Sequence, residues 1–143
     1  MSDGLRLESQ LCFALHAASR AMTRAYQPLL EELDITYPQY LVLLTLWEED
    51  GARVSRIGQR LHLDSATLTP LLKRLEARGL IDRRRSSADE RVVEVFLTAE
   101  GKRLRRKARD IPGAMFRKAG LSSAELSRLR GELQALTRKL LES

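Results

Sequence analysis

Three groups of side chains in this 143-residue chain have the types and spacing to do chemistry. The first is Ser65, Thr67, Thr69, Lys73 and Arg74, spaced as one helix would carry them. Small hydroxyls can donate to or accept from base edges, a threonine methyl can meet a thymine methyl, and cations pair with phosphates. The second is Arg83, Arg84 and Arg85 followed by Asp89 and Arg91. A carboxylate two residues from an arginine can hold it extended, and an extended arginine suits the negative potential of a narrow minor groove. The third is Cys12, the sole cysteine, with His16 four residues on. A thiolate attacks a peroxide oxygen and becomes a sulfenic acid. A lone helical cysteine is more often a small buried hydrophobe, so Cys12 by itself does not establish that chemistry. Cys12 and His16 are two ligands at most, which is not a metal site, and no cofactor is expected.

Such groups work only if the chain holds them in register. Val54–Gly101 reads VSRIGQRLHLDSATLTPLLKRLEARGLIDRRRSSADERVVEVFLTAEG. Ser55 is placed to cap a short helix to Leu61, and Asp64 or Ser65 to cap a second that runs to about Arg78 and stops at Gly79. The start of that second helix would offer Ser65, Thr67, Leu68 and Thr69 to a major groove, with Lys73 and Arg74 on phosphates. Strands are expected at Ile81–Arg84 and Val92–Leu97, joined by a polar tip from Arg85 to Arg91. In that hairpin Arg83, Arg84 and Arg85 would flank Arg91 on the phosphates. A pair of helices followed by a basic hairpin is a winged helix-turn-helix, a device for gripping duplex DNA.

Helices flank this module on both sides. From Glu8 to Leu33 the residues Leu11, Leu15, Ala18, Met22, Ala25, Leu29 and Leu33 recur at spacings of three and four, with a kink expected at Pro28. Thr36 and Gln39 form a capping box, Pro38 falls in the first turn, and the helix Gln39–Glu49 should turn Tyr40, Leu43, Leu44 and Trp47 inward before Gly51 ends it. Thr98 caps a basic helix, which Pro112-Gly113 should interrupt. Ser122 and Glu125 open a last helix with Leu126, Leu129, Leu133, Leu136 and Leu140 on one stripe. A stripe must be buried somewhere. Pairing of two copies through both chain ends is the economical answer, because two half-sites one helical turn apart need two readers.

Composition agrees with that picture. Residues 1–52 carry 3 basic and 8 acidic side chains, residues 53–91 carry 10 and 5, and residues 92–143 carry 12 and 6. The positive charge behind the net +6 therefore begins where the helix pair begins, which favours a nucleic-acid partner. Aromatic content of 5% leaves no stacking platform for single strands. One cysteine rules out an internal disulfide framework. No apolar run reaches membrane-spanning length and no signal peptide opens the chain, so a cytoplasmic protein without membrane contact is expected.

The pattern LxxxGLIxRRxxxxDxRxxxxxLTxxG, carried by Leu75, Gly79, Leu80, Ile81, Arg83, Arg84, Asp89, Arg91, Leu97, Thr98 and Gly101, resembles the MarR family of winged-helix repressors. The resemblance implies a mostly α fold with a small β-hairpin wing. It implies one domain over 1–143, with dimerisation helices at about 5–34 and 99–142 and the winged helix-turn-helix at about 38–98. The first forty residues are similar to the OhrR subgroup of organic-hydroperoxide sensors, in its one-cysteine type. On that resemblance Cys12 is the redox sensor, and Tyr26 and Tyr37 are its hydrogen-bond partners from the other subunit. His16 stands where some members have another tyrosine. Cys12 and Tyr26 are fourteen residues apart, roughly 21 Å along a helix, so they could meet only between two antiparallel first helices or through a sharp bend.

The function implied is a homodimeric repressor that leaves an inverted-repeat operator when organic hydroperoxide oxidises Cys12, with a low-molecular-weight thiol as a further partner. The alternative is a MarR-type repressor that answers a small aromatic ligand instead. A thiol peroxidase is disfavoured, because no resolving cysteine or second catalytic group is present.

Overall fold

The computed structural model describes residues 2–142. Two short 3-10 turns, Ser2–Leu5 and Leu7–Ser9, precede α1, Leu11–Glu31. The helix therefore starts at Leu11, the first residue of its apolar stripe, three residues later than the expected start at Glu8. Gln10 is the reason: its backbone is extended and its side-chain amide donates to the Gly4 and Arg6 carbonyls, each at 2.8 Å. α1 then runs through Pro28 to Glu31. At its end the N–H groups of Leu33 and Ile35 both donate to the Leu30 carbonyl, and Asp34 takes a left-handed φ of 55°.

α2, Tyr37–Glu48, opens on the expected capping box, with Thr36 and Gln39 exchanging hydrogen bonds and Pro38 in the first turn. Its inward residues differ from the expected set. Tyr40, Val42, Leu43, Thr45 and Leu46 are buried, whereas Leu44 is exposed. A stripe reading fails here because α2 is the central helix, in contact with α1, α3 (Val54–Leu61), α4 (Ser65–Ala77) and α5 (Ala99–Ala108), so most of its circumference is covered. Trp47 anchors it to α5 through an indole N–H donated to the Gly101 carbonyl at 3.0 Å.

A two-residue strand, β1 (Ala52–Arg53), was not legible in the sequence. It leads straight into α3, whose N-cap is Arg53 with no side-chain capping bond, so Ser55 does not cap this helix. Asp64 caps α4 by accepting the Thr67 N–H at 2.8 Å. Gly79, at φ 77°, then turns the chain into β2, Ile81–Arg85, which pairs antiparallel with β3, Val93–Leu97. The sheet order is β1-β3-β2, with Ile81 opposite Leu97 and Arg85 opposite Val93. Ile57, Leu68, Leu72, Leu75, Leu80, Ile81 and Val95 join Leu30, Leu43 and Leu46 in one fully buried core. This is the helix-helix-hairpin order of a winged helix-turn-helix.

Gly101, in the first turn of α5, lies against the backbone of Leu80, just before β2. A Cβ there would run into the Leu80 carbonyl oxygen. α5 ends at Ala108, ahead of the proline expected to break it. Pro112 instead lies in the first turn of α6, Ile111–Ala119, where its missing N–H costs little. The chain divides into one unit ending at Arg109 and a second beginning at Asp110. In the second unit Gly120, at φ 69°, closes α6. The reciprocal bonds of Ser122 and Glu125 then open α7, Ser123–Glu142. No residue of α7 is buried, and Leu129, Leu133, Leu140 and Leu141 are all exposed.

Candidate functional site

The candidate recognition helix is α4. Leu68, Leu71, Leu72 and Leu75 form its buried face, so Leu68 belongs to the core and not to a reading surface. What remains outward is Ser65, Thr67, Lys73 and Arg74, all exposed, with Thr69 half-buried at the edge. Thr67 and Arg74 lie two turns apart on one edge, Ser65 and Thr69 one turn apart on the other. Asp64 fixes the start of this helix, and its bond from Thr67 holds its carboxyl below the usual carboxylate range. His62, at the left-handed C-cap of α3, is exposed beside this end.

The wing tip shows the expected arginine clamp. Asp89 accepts from Arg91 three times: from the backbone N–H at 3.0 Å, and from Nε and Nη2 at 3.1 Å each. The Arg91 side chain is nonetheless 91% exposed. Its guanidinium is thus paired with Asp89 while the side chain stays open to solvent. Those bonds keep the Asp89 carboxyl below its ordinary range, so the clamp persists through neutral pH.

The three arginines before the tip have separate tasks. Arg83 is turned toward α4 and mostly covered. Its backbone N–H and Nη2 both donate to Glu76, at 3.0 Å each, tying the wing base to the last turn of α4. Arg84 lies over the Phe96 ring, 4.6 Å from its centroid, with its head exposed. Arg85 donates from Nη1 to the Glu90 carbonyl at 2.8 Å, which braces the tip. Sequence alone did not separate these roles, because three consecutive arginines look alike until strand alternation turns them to different neighbours.

Cys12 is the second residue of α1 and is exposed. His16, one turn on, is exposed as well. Tyr26 and Tyr37 meet within one chain, with ring centroids 5.1 Å apart, and Tyr26 also lies 5.7 Å from Tyr40. Tyr40 was not among the expected site residues. Burial pushes all three phenols up, Tyr40 to about 12, so their O–H groups stay protonated and able to donate at any physiological pH. Beside Tyr37 a groove of about 540 Å³ runs along α1, lined by Ser19, Arg20, Thr23, Arg24 and Gln27. Among the described residues no cluster of three or more His, Cys, Asp or Glu could hold a metal ion, and no helix is long and apolar enough to cross a membrane.

This geometry has clear relatives. A family model described as transcriptional regulator SarA/Rot matches residues 24–108. The organic hydroperoxide resistance transcriptional regulator of Bacillus subtilis is 51% identical over 138 residues, covering 96% of this chain and 94% of that protein. Among solved structures, reduced AbfR bound to DNA superposes with a TM-score of 0.79 at 38% identity, covering 98% of each chain. The PcaV transcriptional regulator of Streptomyces coelicolor, in complex with its natural ligand, superposes with a TM-score of 0.85 at 26% identity over 94% of this chain and 96% of that one.

Proposed function

Because this chain belongs to the MarR family of winged-helix transcriptional regulators, in its organic-hydroperoxide-responsive branch, we propose that Cys12 is the switch through which peroxide releases it from DNA. The chain is a DNA-binding regulator of transcription whose effector is an organic hydroperoxide. In the reduced state α4 enters a major groove, with Ser65, Thr67 and Thr69 near base edges and Lys73 and Arg74 on phosphates. Arg91 reaches the adjoining minor groove while Asp89 holds it, and Arg84 and Arg85 border the backbone.

The observation that carries the redox reading is the exposed Cys12 in the first turn of α1, on the same helical face as Tyr26 but about 21 Å from it. Two α1 helices packed antiparallel would bring each Cys12 to the Tyr26–Tyr37 pair of the other copy. There the phenol O–H groups would donate to the sulfur and favour its thiolate. The sulfur attacks the outer peroxide oxygen, the O–O bond breaks, and the alcohol leaves with a proton from solvent. Cys12 becomes a sulfenic acid, which a low-molecular-weight thiol can convert to a mixed disulfide with loss of water. The tyrosine bonds are lost, the α1 helices shift, and the two reading heads leave the spacing of successive major grooves.

This reading needs a homodimer on an inverted repeat, with α1 and the helices from about 99 to 142 as the pairing surface. The exposed Leu11, Phe13 and Met22 of α1 and the exposed leucines of α7 supply its apolar area. We place the protein in the cytoplasm, where its DNA is. In a peroxide titration, loss of duplex binding should track the fraction of Cys12 modified, as read by intact mass. Release with Cys12 still an unmodified thiol would refute the switch.

One observation favours a second reading. The α1 groove presents Arg20 and Arg24 above an apolar floor of Leu30 and Ile35, which suits a small aromatic carboxylate. If such a ligand were the effector, Cys12→Ser would respond to it as the wild type does.

A further inference from the structure

Arg78 belongs neither to the surface that reads DNA nor to the thiol site, yet it joins the elements that carry them. It is the C-cap of α4, its backbone N–H still bonded to the Arg74 carbonyl. Its guanidinium reaches back 44 residues to the corner between α1 and α2. Nε donates to the Asp34 carbonyl at 3.2 Å, and Nη2 donates to the Asp34 carbonyl at 3.1 Å and to the Leu33 carbonyl at 3.2 Å. Carbonyls just past a helix C-terminus lack intrahelical partners and lie at the negative end of the helix dipole, so a cation that caps them is well placed. The Asp34 carboxylate is also near, at 3.5 Å, but it is 88% exposed and adds little.

The corner is short and constrained. Asp34 holds a left-handed φ of 55°, and three residues later Tyr37 begins α2 with its ring against Tyr26. A backbone shift of Tyr37 relative to α1 therefore passes through this corner, whose carbonyls are held by the end of α4. Two residues earlier, near the end of α4, Glu76 holds the backbone and side chain of Arg83 at the wing base. The last turn of α4 thus grips the α1–α2 corner on one side and the wing on the other.

We propose that Arg78 is a positioning residue that passes displacement of the α1–α2 corner to the recognition helix and wing, so that oxidation at Cys12 reaches the DNA-reading surface through it. The proposal rests on the redox reading above. α4 does not need Arg78 to stay packed, since Leu68, Leu72 and Leu75 bury it in the core without that side chain. Removing the guanidinium should therefore spare the fold and weaken the coupling, which is a property of linkage between two sites and not of either site alone.

The test compares wild type with Arg78→Met, which keeps an apolar stem. A duplex selected from random DNA by reduced wild-type protein serves as probe, and cumene hydroperoxide as oxidant. Operator affinity before and after oxidation is read by fluorescence anisotropy, Cys12 modification by intact mass, and folding by thermal melting. Arg78→Met should bind when reduced and should oxidise at the wild-type rate. Its oxidation-driven loss of affinity should be smaller than the wild type's by about fivefold. Asp34→Asn, which leaves both carbonyls in place and tolerates a left-handed backbone, should keep the wild-type ratio. If Arg78→Met proves unfolded, Arg78→Lys replaces it, because one ammonium cannot span two carbonyls as a guanidinium does. An unchanged ratio in a folded, fully oxidised Arg78 variant overturns the coupling role and leaves the redox reading standing. A wild-type protein that keeps its DNA after Cys12 is oxidised overturns both.

Discussion

At the scale of single residues, several groups are fixed by neighbours while still exposed. Arg91 is the clearest, fixed by three bonds to Asp89 and open to solvent along its length. Replacing it with alanine should weaken operator binding by about 1–3 kcal/mol, and Asp89→Ala should cost less, since Asp89 only orients its neighbour. Anisotropy titration at fixed salt checks both, and unchanged affinity in a folded Arg91→Ala protein would remove the wing tip from recognition. The tyrosines give a second residue-scale prediction. Burial raises the folded-state phenols of Tyr26, Tyr37 and Tyr40 above their ordinary 10.0. A raised folded value stabilises the protein fully below pH 10 and loses that contribution as pH climbs through the folded value, near 12 for Tyr40. Absorbance should therefore show less tyrosinate at pH 10 than free tyrosine gives, with the rest appearing at higher pH as stability falls. Full ionisation of all three phenols near pH 10 in a folded protein would contradict this.

At the scale of elements, local chemistry was readable where it is strictly local. Both capping boxes, Thr36 with Gln39 and Ser122 with Glu125, form as their spacing implies, and Asp64 and Thr98 cap as expected. The two strands of the hairpin and the Asp89–Arg91 clamp were also legible, because two apolar runs around a polar tip and a two-residue spacing carry them. Whatever depends on distant chain was not. β1 exists only because β3 lies alongside it, and α2 is covered on more sides than its own pattern announces. Arg83 looked like its two neighbours until Glu76 was found beside it, and no local signal links Arg78 to Leu33 and Asp34. The candidate thiol was visible as a residue type, but its partners lie a helix length away. Gly101 tests the packing argument at this scale. Its missing Cβ lets α5 approach the Leu80 carbonyl, so Gly101→Ala should destabilise the protein by about 1–3 kcal/mol. Chemical denaturation measures this, and an unaffected midpoint would show that α5 has room to shift.

At the scale of the whole molecule, the apolar residues left exposed on α1 and α7 are what a second copy would cover. Light scattering should give a mass near twice the 16.2 kDa chain at operator-binding concentrations. A stable monomer there would defeat both the paired half-sites and a sensor site shared between copies. Net charge of +6, concentrated from residue 53 onward, should make duplex affinity fall steeply with salt through counterion release.

Control of a DNA-binding dimer by one thiol can be decided by a mobility shift on wild type and Cys12→Ser with and without cumene hydroperoxide. Both reduced proteins should retard the operator, since a serine hydroxyl can occupy the same position. Peroxide should then free the DNA from wild type alone, while Cys12→Ser stays bound. Release of both proteins, or of neither, would contradict the account.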